Sequence, residues 1–133
     1  MIVIDTSALA AFLLREKDWR KLAKYMKRVV SVDYIMVEFY NVIWKAIYVH
    51  KLLKENEALK IIELLKEYAK ANMKLEDTKN YLDKALEVAL RTGLTIYDSL
   101  YITLALEKRL PLLTLDKRQK EEAKKLNIEV VEF

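Results

Sequence analysis

The first nine residues, M-I-V-I-D-T-S-A-L, constrain this chain more than any other stretch. Ile2, Val3 and Ile4 form a continuous β-branched run with no polar alternation. That is the pattern of a central strand buried on both faces of a parallel sheet. Asp5 falls at the carboxyl end of this strand, and Thr6 and Ser7 are residues that readily begin a helix. A carboxylate in such a place is costly unless something binds it. In open α/β sheets, the edge formed by the strand C-termini is where ligands sit. What matters next is whether other acids reach that edge.

The rest of the chain alternates strands with helices. The pattern predicts a short apolar helix over Ala8–Leu14 and a second over Asp18–Arg28 with Asp18 as its N-cap. It then predicts a strand over Val29–Val32 and a helix from Tyr34 to about Lys51, with Asp33 as its cap. This helix is apolar nearly all round, with Glu38, Asn41 and Lys45 on its one polar stripe. Such a helix is buried on most sides, and in so small a domain part of its surface is expected to meet a second copy, with the stripe facing a cleft. An amphipathic helix follows over Glu55–Asn72, with Leu59, Ile62, Leu65 and Ala69 turned inward, then a short strand over Met73–Leu75. A helix from Asp77 or Thr78 ends at Gly93, and another runs from Thr95 to about Arg109. A strand over Leu110–Leu115, a charged helix over Lys117–Leu126 and a last strand over Ile128–Phe133 complete the chain. The expected fold is a single α/β domain over residues 1–133, a three-layer sandwich whose central, mostly parallel sheet is flanked by helices.

Composition removes several function classes. A single glycine rules out a Walker loop and a dinucleotide fingerprint, which need several at set spacing. With no cysteine and one histidine, His50, there is no disulfide framework, and a dedicated zinc site is not expected. Asp5 interrupts the first apolar run and no basic residue precedes it, unlike a secretory leader. The longest apolar segment, Tyr34 to Val49, is too short and too polar to span a bilayer. Together these features predict a cytoplasmic protein.

Four carboxylates share a structural address. Asp5 and Asp116 each follow a buried strand, Glu38 lies on the polar stripe of the helix after the second strand, and Asp98 sits in the first turn of the helix after Thr95. In a parallel sheet all four reach the same edge. Such a cluster repels itself unless cations are bound, and hard divalent ions, Mg²⁺ or Mn²⁺, are the natural partners of oxygen ligands. Each acid also has a plainer reading. Asp98 fits a capping box with Thr95, Asp116 fits an N-cap, and Glu38 fits a pair with Lys45 or Asn41. Asp5 has none as good, since a buried strand end has no structural need for it.

V-I-D-T-S-A-L, V-E-F-Y-N-V-I-W-K, Y-D-S-L-Y-I-T-L-A and L-L-T-L-D-K, taken together and in order, resemble the PIN domain. More closely, they resemble the VapC toxins of toxin–antitoxin pairs. The resemblance implies a metal-dependent ribonuclease with Asp5, Glu38, Asp98 and Asp116 as its acidic quartet. It also implies Ser7, Asn41 and Thr114 as the polar residues supporting them, and an antitoxin protein as partner. Asp5 and Asp98 are the expected principal metal ligands.

The net charge of +4 includes the quartet; with it set aside, 24 basic residues face 16 acids. A surface so basic suits a polyanion such as RNA. Lys17, Lys21, Lys24 and Arg28, spaced as one helical stripe, are the expected contact, against the plainer reading of a solvated face. The tyrosines are assigned to core or interface rather than to the site, as are Trp44 and Tyr48. Aspartyl-phosphate chemistry is the enzymatic alternative. Haloacid dehalogenase-like phosphatases usually carry a second Asp where this chain has Ser7, and response-regulator receivers carry an acidic pair where Ile4 precedes Asp5. A non-catalytic RNA-binding or assembly module is the remaining one.

Overall fold

The computed structural model describes residues 1–133. Strand β1 (Ile2–Ile4) lies inside a four-stranded, wholly parallel sheet of order β3-β2-β1-β4. Its neighbours are β2 (Val29–Val32), with Ile2 opposite Val29, and β4 (Leu112–Leu113), with Ile4 opposite Leu113. Strand β3 (Met73–Glu76) lies outside β2, with Val29 opposite Met73. β2 is buried at every position, and its one polar side chain, Ser31, donates through Oγ to the Ile4 carbonyl at 2.8 Å. The β-branched runs therefore became central strands, and M-K-L-E, half polar, became an edge.

Parallel neighbours require crossovers, and seven α-helices supply or follow them. They are α1 (Thr6–Leu13), α2 (Trp19–Ala23), α3 (Tyr34–Trp44), α4 (Glu55–Asn72), α5 (Leu82–Thr92), α6 (Ile96–Lys108) and α7 (Lys117–Lys125). They cover both faces of the sheet, giving the expected three-layer α/β sandwich. Every strand ends at one edge, and α1, α3 and α7 begin there. Helix α6 is the most enclosed, with Ser99 through Ala105 all buried.

Several local expectations change. The second helix stops at Ala23, so Lys17, Lys21, Lys24 and Arg28 do not share one helix face; all four are exposed. Asp18 does not cap α2: its φ of 65° takes it into the left-handed region, and it makes only an exposed ion pair with Lys21 at 3.7 Å. Asp33 spends its carboxylate on Thr78 rather than on α3, accepting from the Thr78 amide at 3.1 Å and from its hydroxyl. The third helix continues past Trp44 as one wider π turn, Lys45–Val49, closed by the His50 amide on the Lys45 carbonyl at 2.8 Å. On α4 the buried positions are Ala58, Leu65 and Tyr68, and Leu59 is exposed. Tyr68 turns the face by donating to the Met26 carbonyl at 2.7 Å while packing on Phe12. The last strand is reduced to one bridge, Leu112 to Val130. Gly93 ends α5 as expected, at a φ of 77°.

Candidate active site

Asp5 stands at the carboxyl end of β1 and is 4% exposed. Its side chain caps α1: Oδ1 accepts from the Ala8 amide at 3.0 Å and from Ser7 Oγ at 2.7 Å. Oδ2 accepts from Thr114 Oγ1, which follows β4. Ser7 Oγ in turn accepts the Leu115 amide at 2.9 Å, and Thr114 Oγ1 accepts the Asp116 amide at 3.1 Å. Each hydroxyl has one proton, and each gives it to Asp5 while taking a backbone N–H. Burial nevertheless outweighs these bonds and pushes the Asp5 carboxyl up to about 6 from an ordinary 3.8, with the charge of Asp98 adding to the rise.

Asp98 lies in the first turn of α6, half-buried. Its backbone amide donates to Thr95 Oγ1 at 3.3 Å, half of the expected capping box. Its carboxylate receives no hydrogen bond from the chain. Burial and the negative charges of Asp116 and Glu38 hold the Asp98 carboxyl above its ordinary range, opposed by the Arg118 guanidinium. The charges of Asp5, Glu38 and Asp116 therefore all bear on or from Asp98, although the four acids come from four separate segments.

Asp116 caps α7 through Oδ1, which accepts the Gln119 amide at 2.8 Å. Glu38, on α3, accepts at Oε1 from Thr6 Oγ1 at 2.9 Å and from the Tyr101 hydroxyl. It pairs with neither Lys45 nor Asn41. Asn41 is exposed and bonded to none of the four carboxylates, whereas Ser7 and Thr114 hold Asp5 directly. The four cations Lys17, Lys21, Lys24 and Arg28 pair with none of the four acids; only Lys21 has an ion-pair partner, Asp18.

Tyr101 is core, as expected, at 1% exposed, and its hydroxyl also ends on Glu38. Its spacing three residues after Asp98, one helix face, was the available signal. Thr6, read as a helix starter, is a Glu38 partner too. Gln119 links two of the acid-bearing segments, with its amide on Asp116 and its Nε2 on the Asp98 carbonyl at 3.4 Å. Arg118, on the charged helix α7, is the cation whose charge bears on Asp98.

The donor set fits a hard divalent cation. Asp98 has both carboxylate oxygens free, and Glu38 Oε2 and Asp116 Oδ2 accept no hydrogen bond. No three acidic or imidazole side chains stand close enough to ligate one ion between them. Mg²⁺ commonly keeps several waters and takes only one or two carboxylates directly.

The class is the PIN domain: that family matches residues 2–125, and the chain belongs to it. Within it the chain is VapC-like, being 32% identical over 123 residues to Ribonuclease VapC3 of Pyrobaculum aerophilum, across 90% of this chain and 92% of that one. The fold is shared with the crystal structure of PAE2754 from Pyrobaculum aerophilum, at a TM-score of 0.70 and 24% identity over 91% of this chain and 84% of that one. It is shared also with FitAcB from Neisseria gonorrhoeae, at a TM-score of 0.65 and 15% identity over 99% and 97% of the two chains.

Proposed function

We propose that this protein is a metal-dependent endoribonuclease that hydrolyses RNA phosphodiesters as the toxin of a type II toxin–antitoxin pair. The observation that carries the reading is Asp98, a carboxylate without a hydrogen-bond donor, raised by burial and then by the charges of two further acids, and itself adding to the rise of Asp5. Such an arrangement suits a bound cation, and no hydrogen bond within the fold uses the Asp98 carboxylate. The named relative is a ribonuclease, and the balance of 24 basic residues against 20 acids suits a polyanion.

Asp5 and Asp98 would hold Mg²⁺ or Mn²⁺, with Glu38 and Asp116 completing the site through metal-bound water. When bound, the ion supplies Lewis acidity and lowers the pKa of its water. Ser7 and Thr114 fix both oxygens of Asp5, so its carboxylate is oriented before any ligand arrives. Asp116 and Gln119 join α7 to α6, which keeps Asp98 and Asp116 in register. Lys17, Lys21, Lys24 and Arg28 remain the proposed RNA contact, now as an exposed basic run rather than a helical stripe. Reversing their charge is expected to weaken RNA binding and lower its salt slope, as read from binding isotherms at several salt concentrations.

The partner protein would be an antitoxin that sets a basic side chain against the acids, and a second copy of this chain would pack on α3. No helix is long and apolar enough to cross a membrane, and we place the protein in the cytoplasm. The test is incubation of a mixed pool of structured and single-stranded RNAs with Mg²⁺, Mn²⁺ or EDTA, beside Asp98→Asn. Cleavage that needs the ion and falls at least 100-fold in the variant is the expected result. Metal binding without cleavage of any RNA would overturn the reading in favour of a binding module.

A further inference from the structure

We infer that Tyr101 and Thr6 are positioning residues that lock one oxygen of Glu38 so that the other is presented to the acidic site. The inference rests on the metal-site reading above and adds to it two residues, one beside Asp5 at the start of α1 and one on α6 with Asp98. Tyr101 is buried in α6, where phenylalanine would pack as well, and a buried hydroxyl is retained at a cost unless it is bonded. Its hydroxyl reaches Glu38 Oε1, as does Thr6 Oγ1 at 2.9 Å, and the two hydroxyl oxygens are themselves 2.9 Å apart. Each hydroxyl has a single proton. A phenol ordinarily keeps its proton well past neutral pH, so Tyr101 is a donor to the carboxylate.

The consequence is an asymmetric carboxylate. Both donors converge on Oε1, and Oε2 accepts no hydrogen bond. The charge of the same side chain acts on Asp98, one turn before Tyr101 on α6. Thr6 is next to Asp5. The clamp thus ties the segment carrying Asp5, the helix carrying Glu38 and the helix carrying Asp98 into one unit. Long acidic side chains lose much rotamer freedom when fixed, and fixing Glu38 beforehand removes that cost from ligand binding.

The test is Mn²⁺ binding by titration calorimetry and by electron paramagnetic resonance, for Tyr101→Phe in the wild-type and in the Glu38→Ala background. Tyr101→Phe is expected to weaken Mn²⁺ affinity by about 10-fold or more. In the Glu38→Ala background it is expected to cause no further loss. Thr6→Val, which removes the other donor at nearly constant shape, is expected to act in the same direction. Unchanged Mn²⁺ affinity in Tyr101→Phe, or an equal loss in both backgrounds, would overturn the inference. A wild-type protein that binds no Mn²⁺ would overturn the functional reading instead. The same four proteins unfolded in EDTA then decide the clamp alone: non-additive changes in Tm sustain it, and additive ones overturn it.

Discussion

Asp5 is where burial and charge oppose each other most directly. Its carboxyl titrates near 6 in the folded protein against 3.8 in an ordinary setting, so between those values the folded state holds a proton that the unfolded chain has released. Stability from this group is present in full below the lower value and lost as pH rises through the upper one. The loss amounts to about 3 kcal/mol for the metal-free protein. Asp5→Asn, which has no charge to bury, is therefore expected to raise the Tm of the metal-free protein by several degrees at about pH 8 and by little at about pH 4, as measured by calorimetry in EDTA. A variant no more stable than wild type at the higher pH would show that the site is solvated well enough to carry the charge. Asp5 was legible in the sequence because its oddity is local: an acid ends an apolar strand. Thr6 and Tyr101 were not, because their meaning lies in contacts to Glu38 across 32 and 63 residues. No local pattern distinguishes a tyrosine that packs from one that packs and also donates.

Among the elements, α7 shows that the plain and the functional readings of an acid are not exclusive. Asp116 caps the helix with one oxygen and leaves the other free, so the two roles separate by substitution. Asparagine caps about as well as aspartate, whereas alanine costs about 1 kcal/mol. Asp116→Asn is expected to keep the wild-type Tm while weakening Mn²⁺ binding, and Asp116→Ala to lose both, as read by calorimetry and metal titration. The elements that the sequence misplaced have separate physical causes. Helix α2 was extended to Arg28 on the spacing of its cations, but exposed charges carry little energy and cannot hold a helix whose apolar anchor, Leu22, lies one residue from its end. The face of α4 was turned by a single polar demand, the Tyr68 hydroxyl seeking the Met26 carbonyl. Asp33 left its cap because Thr78, on the far side of β3, offers two donors at once. The central strands and α6 had no such competition, and their apolar runs settled them.

For the whole molecule, the sheet order does what no single motif can. With β1 between β2 and β4, the segments after all three strands reach one edge, and α6 brings Asp98 within reach of the charges of Glu38 and Asp116. That convergence was readable in advance because parallel strands allow only one such edge. The apolar helix α3 was readable only in part. Its expected burial holds for Ile35, Phe39 and Ile43, yet Val37, Tyr40, Trp44 and Tyr48 stand exposed at spacings of three and four, with Trp44 at 51% and Tyr48 at 70%. Trp44 and Tyr48 stack on each other at 5.5 Å, a flat aromatic step that the chain itself does not cover. Aromatics are enriched where one protein meets another, and a contiguous apolar stripe of this kind is seldom left to solvent. A second copy packed on this stripe would satisfy it by a twofold axis, each helix presenting the same residues to the other. Trp44→Glu together with Tyr48→Lys is expected to convert a dimer into a monomer in sedimentation at micromolar concentration. Little change in Tm is expected when both proteins are compared at concentrations where each is monomeric, because neither side chain supports the core. If the wild-type protein already sediments as a monomer, α3 is not a self-association face.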